Sequence, residues 1–205
     1  MLKLNINLKE NQKLYFTSDL HLGHRNVIKF CCRPYDNEKE MDKALINNWN
    51  STVTNNDIIV IAGDLFWFND SKRIKKVLES LNGEKIYIVP GNHDQMKSYY
   101  RVEDPRIEII TDITHIRLTT DDKRYYLDEF EIVVSHYPLM TWAHRDRGAI
   151  NLFGHIHSGW LRDIDAVDQN LPLYKGQQYD VGVDNNNYKP VSFDEILIEL
   201  NNGIR

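Results

Sequence analysis

Pro90-Gly91-Asn92-His93-Asp94 follows the apolar run Ile86-Tyr87-Ile88-Val89. The run reads as a buried strand and the five residues after it as a tight turn, in which Gly91 lets the backbone turn where a side chain would clash. An amide, an imidazole and a carboxylate then emerge together at the carboxyl end of the strand. Taken alone, such residues are also ordinary turn formers. The rest of the chain shifts the balance toward a site, because four more apolar runs end in the same way.

Leu14-Tyr15-Phe16 runs into Thr17-Ser18-Asp19-Leu20-His21, and Ile58-Ile59-Val60-Ile61 into Ala62-Gly63-Asp64. Further on, Ile132-Val133-Val134 leads to Ser135-His136, and Ile150-Asn151-Leu152-Phe153 to Gly154-His155-Ile156-His157. Five strands would thus deliver imidazoles, carboxylates and one amide.

The ordered set Asp19-x-His21, Gly63-Asp64, Gly91-Asn92-His93-Asp94, His136 and Gly154-His155-x-His157 resembles the calcineurin-like metallophosphoesterase superfamily, and the match is complete for its motifs. Val181-Gly182-Val183-Asp184 is similar to a stretch common in small bacterial and phage members. The resemblance implies an α/β fold, a four-layer α/β/β/α sandwich of two mixed sheets in one domain over residues 1–205, with the site at the carboxyl ends of the strands. It further implies that Asp19, His21, Asp64 and His157 hold one metal and that Asp64, Asn92, His136 and His155 hold another, with Asp64 as the shared bridge. Phosphate ester hydrolysis needs a strong nucleophile near neutral pH and cancellation of charge on the phosphoryl oxygens, and two divalent metals supply both. A hydroxide between the metals would attack phosphorus in line. His93, which the family motif leaves off the metals, would stabilise the transition state or protonate the leaving oxygen. Asp94 is given a supporting role. Imidazole, carboxylate and amide ligands suit Mn, Fe, Zn or Ni better than all-oxygen Mg or Ca sites.

The bulk properties agree with an ordinary globular enzyme. A chain of 205 residues can bury a real core, and 41% apolar with 27% charged residues excludes the disordered, fibrous and membrane classes. No apolar run approaches the length of a membrane span, and residues 1–12 lack the pattern of a secretory signal. Cys31 and Cys32 are adjacent, so they offer no ordinary disulfide framework; a reducing, cytoplasmic setting is expected, with both cysteines acting as small apolar residues. The net charge of −5 carries no long basic block, which argues against a broad footprint on duplex nucleic acid.

In chain order, residues 2–8 alternate as a half-exposed strand, and 36–50 reads as a helix with Met41, Leu45, Ile46 and Trp49 inward and Asp36 or Asn37 as cap. A second helix spans 71–81. Leu65-Phe66-Trp67-Phe68 would either floor a substrate pocket or pack as a satellite cluster. Runs at 107–110, 113–118 and 124–127 read as strands, with a hairpin turn at Asp121-Asp122, and His115 reads as structural. Arg25 is a candidate phosphate contact, and His24 is a substrate contact or a solvated loop residue. The loop after His136 mixes polar and aromatic residues as binding loops do, which makes Trp142, His144 and Arg145 candidates for substrate recognition. Residues 179–183 and 195–200 read as closing strands.

With no appended recognition domain expected, the substrate reads as a small phosphodiester, nucleotides included. A phosphomonoesterase or nuclease on the same metals is the alternative. A metal-binding interaction scaffold without catalysis is the alternative from another class.

Overall fold

The computed structural model describes residues 2–121, 127–158 and 176–202. Two five-stranded sheets carry the molecule. One is ordered β1 (Leu2–Leu8), β6 (Ile113–Thr120), β7 (Glu129–Ser135), β8 (Ile150–Phe153), β9 (Gln178–Asp180); the other is β10 (Val191–Ser192), β2 (Leu14–Thr17), β3 (Ile58–Ala62), β4 (Lys85–Val89), β5 (Ile107–Ile109). Both are mixed: β2 to β5 run parallel with β10 antiparallel at one edge, while β6 and β7 form an antiparallel pair inside an otherwise parallel sheet.

Alternation along the strands builds the core between the sheets. Leu14, Phe16, Val60 and Ala62 face Ile116, Leu118, Ile132, Val134 and Leu152 across it. The odd partners Tyr15, Ile59 and Ile61 point the other way, onto helices α2 (Glu38–Thr52) and α3 (Ser71–Ser80) through Met41, Leu45, Trp49, Ile74 and Leu78. Central strands buried on both faces explain why the sequence runs were continuously apolar rather than alternating. Asn37 caps α2 by accepting from Lys39 and Glu40 N–H, and Asp70 caps α3 from Arg73 N–H. Helices α1 (Arg25–Phe30) and α4 (Met96–Tyr99) are short connectors. These are the two mixed sheets with flanking helices that the sequence implied.

Two expectations change. Residues 195–200 lie in helix α5 (Phe193–Asn202), not in a strand. Ser192 and Glu195 cap it reciprocally: Glu195 accepts from Ser192 N–H and Ser192 Oγ from Glu195 N–H. Ile196 and Leu200, one turn apart, are buried, while Ile198 between them is 59% exposed. The strand expected over 179–183 ends at Asp180, and a 3-10 turn follows at Val183–Asn185. The hairpin turn and the 124–127 run fall almost wholly on residues 122–126, outside the described residues; β6 pairs directly with β7 from Thr119 opposite Glu129. No helix among the described residues is long and apolar enough to cross a membrane.

Candidate metal centre

Backbone bonds stitch the carboxyl end of β2 to that of β3, and the end of β7 to that of β8. Asp19 N–H donates to Gly63 O and His21 N–H to Asp64 O, both at 3.0 Å, and Gly154 N–H donates to His136 O at 3.0 Å. Asp94 secures the same edge. Its carboxylate accepts from the N–H of Asp64 (2.8 Å), Gly91 (2.9 Å) and Leu65 (3.2 Å) and from the Tyr99 hydroxyl (2.5 Å), a supporting part and not a converging one. Charge-assisted bonds of this kind contribute roughly 1.5–3 kcal/mol each. That scale matters here, because Asp19, His21, Asp64, His155 and His157 all hold positive φ between 47° and 72°. Left-handed backbone costs about 1–2 kcal/mol for a residue with a side chain, and it persists where the surroundings enforce it.

Gly91 serves a different purpose from the one its turn suggested. It does not occupy the left-handed region; a Cβ there would collide with the carboxylate and backbone of Asp64. Gly154 is in the same position against Ser18 and Asp19. Both glycines let a backbone edge lie directly against a carboxylate.

The structure brings Asp19, His21, Asp64, Asn92, His136 and His157 together, with His155 at their rim. Asp64 Oδ2 lies 3.6 Å from His21 Nε2, 3.4 Å from His136 Nε2 and 4.0 Å from His93 Nε2. Asp19 Oδ1 lies 3.8 Å from His21 Nε2 and 3.9 Å from His157 Nε2, and ligand atoms of Asp19, His21 and His157, and of Asp19, Asp64 and His136, fall within 4.8 Å of one another. His136 is set by the Ala62 carbonyl, 2.8 Å from Nδ1, so the N–H is on that side and Nε2 faces Asn92 Oδ1 at 2.9 Å. His155 donates its backbone N–H to Asp19 Oδ2 at 2.9 Å, with its ring against those of His136 and Tyr137.

A divalent cation fits this donor set on its own evidence. Asp19 is fully buried and its Oδ1 has no hydrogen-bond partner, an arrangement that is costly for a carboxylate unless positive charge lies beside it. Burial pushes the Asp19 carboxyl up against the pull of His157 and His136. Burial also pushes His21 down to about 2, which keeps it as the neutral imidazole that ligation requires. Asp64 goes the other way: burial would raise it, but its bond to His136 and the charge there, with the His93 N–H, hold it at about 2.

Behind His157 stands a pair the sequence reading did not single out. His157 Nδ1 donates to Asp184 Oδ2 at 2.6 Å, and the buried Arg33 grips both Asp184 oxygens at 2.8 and 2.7 Å while donating to the Asp19 and Leu20 carbonyls. A carboxylate on Nδ1 leaves Nε2 free toward Asp19, the arrangement by which proteins orient a ligating histidine. Cys31 belongs to this group too, with its thiol within 4.8 Å of His157 and Asp184 ligand atoms, whereas Cys32 is exposed.

At the mouth, Trp67 stacks flat on His24 (3.6 Å between ring centres) and tilts over His93 at 4.7 Å, with 45% of its surface exposed. Of the run 65–68, Leu65 and Phe66 join the core beneath the helices, rather than a satellite cluster, and Trp67 lies against His24 and His93. On the other side of the cluster a cavity of about 320 Å³ is lined by Asn92, His136, Tyr137, Leu139 and Ile113 among others. Arg25 opens α1, exposed, next to His24. Trp142, His144 and Arg145 make their contacts elsewhere. Trp142 is 8% exposed, packs on Val133 and Ala149 and donates to the Ala149 carbonyl, so its indole is core on the outer face of β7; His144 pairs with Glu131 there. Arg145 starts a 3-10 turn beside Trp142.

Residues 12–187 match the model of the calcineurin-like phosphoesterase family. The chain is 32% identical over 193 residues to an uncharacterized protein of Methanocaldococcus jannaschii, MJ1445, covering 94% of this chain and 93% of that one. It is 29% identical over 168 residues to the Gene 66 protein of Mycobacterium phage D29, with 73% and 80% covered. Among solved structures it is similar to AQ665, a protein of unknown function from Aquifex aeolicus, at TM-score 0.64 and 25% identity, with 91% of this chain and 98% of that one covered. The carboxylates, imidazoles and amide gathered at five strand ends and the match over residues 12–187 agree: the chain belongs to the calcineurin-like phosphoesterase family, whose members are metal-dependent phosphoric ester hydrolases.

Proposed function

We propose that this protein hydrolyses a small phosphodiester, of the nucleotide kind, with two divalent transition-metal ions gathered by Asp19, His21, Asp64 and His157 on one side and Asp64, Asn92, His136 and His155 on the other. The observation that carries this reading is the buried, unpartnered Asp19 Oδ1 facing imidazole nitrogens, with Asp64 Oδ2 between His21 and His136. Bound divalent cations supply a nucleophile at neutral pH and cancel charge on the phosphoryl oxygens. Asp64 would serve both cations. His93, 40% exposed in its side chain and 4.0 Å from Asp64, is placed to donate a proton to the departing oxygen without being buried among the ligands. Mn, Fe, Zn and Ni all suit the donor set.

Support for a small substrate with a planar group comes from the mouth. The exposed Trp67 offers a ring face beside His93, and the cavity next to His136 is of small-molecule size. Arg25 and His24 would meet the phosphoryl oxygens from the same side as Trp67. The adjacent thiols of Cys31 and Cys32 suit a reducing compartment, the cytoplasm, and the continuous core between the sheets suits a single domain.

Hydrolysis of bis(p-nitrophenyl) phosphate, p-nitrophenyl phosphate, cyclic nucleotides and single-stranded nucleic acid, each with Mn, Ni or Zn, tests the proposal. The diesters are expected to turn over fastest. Preference for the monoester or for the polymer would move the assignment to a phosphomonoesterase or a nuclease; absence of all turnover by the metal-loaded chain would favour a non-catalytic scaffold.

A further inference from the structure

A second group of ligand-type side chains lies on the face of the β6–β7 pair turned away from the inter-sheet core. Ile116, Leu118, Ile132 and Val134 point into that core, so His115 and Glu131, one place along each strand, point outward. The 137–149 loop folds back over this face, held by Trp142 against Val133 and by the Gln178 amide on the Leu139 carbonyl. At its far end His144, with φ of 60°, turns its ring onto the pair. The His115 and His144 rings meet edge to face with centres 5.2 Å apart, and His144 Nδ1 is 3.5 Å from Glu131 Oε2. Donor atoms of all three residues lie within 4.8 Å of one another.

His115 Nε2 and Glu131 Oε2 form a close ion pair. The pair does not account for the whole arrangement: His115 is only 2% exposed and its Nδ1 has no hydrogen-bond partner, while His144 closes on the same Glu131 oxygen. A buried polar atom left without a partner is destabilising. Burial, which outweighs the attraction of Glu131, pushes the His115 imidazole down, so the ring is neutral and has a lone pair to give. The cations nearby are Lys3, opposite His115 on β1, and Arg117, opposite Glu131 and tied to Glu129 at 2.5 Å.

We infer that His115, Glu131 and His144 form a separate site for one divalent transition metal of the zinc type. Two imidazoles and a carboxylate make a three-ligand zinc set, and bonds of about 2.0–2.2 Å set tetrahedral ligand atoms roughly 3.3–3.6 Å apart. The His144 to Glu131 separation already has that value, whereas His115 Nε2 sits closer to the same oxygen and would draw back from it to admit the ion. The fourth position would face solvent past the half-exposed His144. The site would fasten the loop between β7, which ends at His136, and β8, which leads to His155.

Crystals of the full chain grown with zinc, with anomalous scattering recorded at the zinc edge, test the inference directly. A peak bounded by His115, Glu131 and His144 is expected, apart from any peak at the Asp19 and Asp64 cluster. In solution, zinc retained after desalting should fall by one equivalent in Glu131→Gln and in His144→Ala, and the rise in Tm on adding zinc should shrink in both. Glu131→Gln keeps the shape of the side chain, and the unfolding curves of the zinc-free variants report whether they remain folded. No peak at this place in the wild type, or equal zinc retention by the wild type and both folded variants, overturns the inference. Either result is independent of whether the central cluster hydrolyses phosphoesters.

Discussion

His157 and Asp184 are joined by a 2.6 Å hydrogen bond from Nδ1 to a carboxylate that Arg33 holds from behind. Two buried charges therefore fix the ring of a proposed metal ligand. Replacing Asp184 with Ala would strand the Arg33 cation, so the informative change is Asp184→Asn, which keeps an acceptor but loses the charge. Outer partners of ligating histidines are typically worth 10–100-fold in metal affinity. Asp184→Asn is expected to lower affinity by that much, read by competition with a chelator, and an unaltered affinity would remove Asp184 from the centre.

The same pair sets a pH dependence for the metal-free protein. Burial disfavours both charges, but their mutual bond, with Cys31 and Asp19 beside His157 and Arg33 beside Asp184, outweighs it. His157 is held up at about 11 and Asp184 down at about 2. His157, raised from 6.5, contributes stability that is full below pH 6.5 and drains away as pH climbs toward 11. Asp184, lowered from 3.8, contributes above pH 3.8 and loses that contribution as pH falls toward 2. Urea unfolding of chelator-treated protein should show the difference between wild type and Asp184→Asn shrinking from pH 6.5 upward. A difference independent of pH between 6.5 and 10 would count against the coupling.

His93 and Asp64 should separate cleanly by what each loses. General acid catalysis is typically worth 10²–10⁴-fold, so His93→Ala is expected to reduce kcat by about that factor while metal content stays level. Asp64→Ala should lose both metal and metal-dependent hydrolysis. If His93→Ala shed metal, or Asp64→Ala kept full activity, the roles assigned here would be wrong.

Trp67 offers a test of substrate class. A base stacked on an aromatic ring contributes about 1–3 kcal/mol. Trp67→Ala should raise KM for a nucleotide diester about tenfold or more and leave a dialkyl phosphodiester nearly unaffected. Equal effects on both substrates would mean that Trp67 supports His93 and His24 rather than the ligand.

The reading of the helix that ends the described chain shows why sequence patterns mislead locally. Ile196, Ile198 and Leu200 alternate as a strand would, and Ile196 and Leu200 are also one helical turn apart. The signal that separates the two is the Ser192 and Glu195 capping pair, which lies just ahead of the apolar alternation and outside it. Trp142 misleads in another way. An aromatic residue in a polar loop suggests recognition, yet its indole is buried because the loop folds back on Val133.

By itself the sequence determined the strands that end in ligand-type residues and their order along the chain, and the resemblance those residues carry implied the two sheets and the family chemistry. These were legible because each depends on a short stretch: an apolar run long enough for one buried strand, followed by a turn whose residues must leave at the same edge. Tertiary structure alone decided which residues stand behind those ligands and where the loops go. Arg33 and Asp184 are 151 positions apart and become partners only when the segment after β9 lies against Ser18 and joins the two sheets. Gly91 shows the same division: its presence was plain, but its reason, an edge pressed against the Asp64 carboxylate, exists only once β3 and β4 lie side by side.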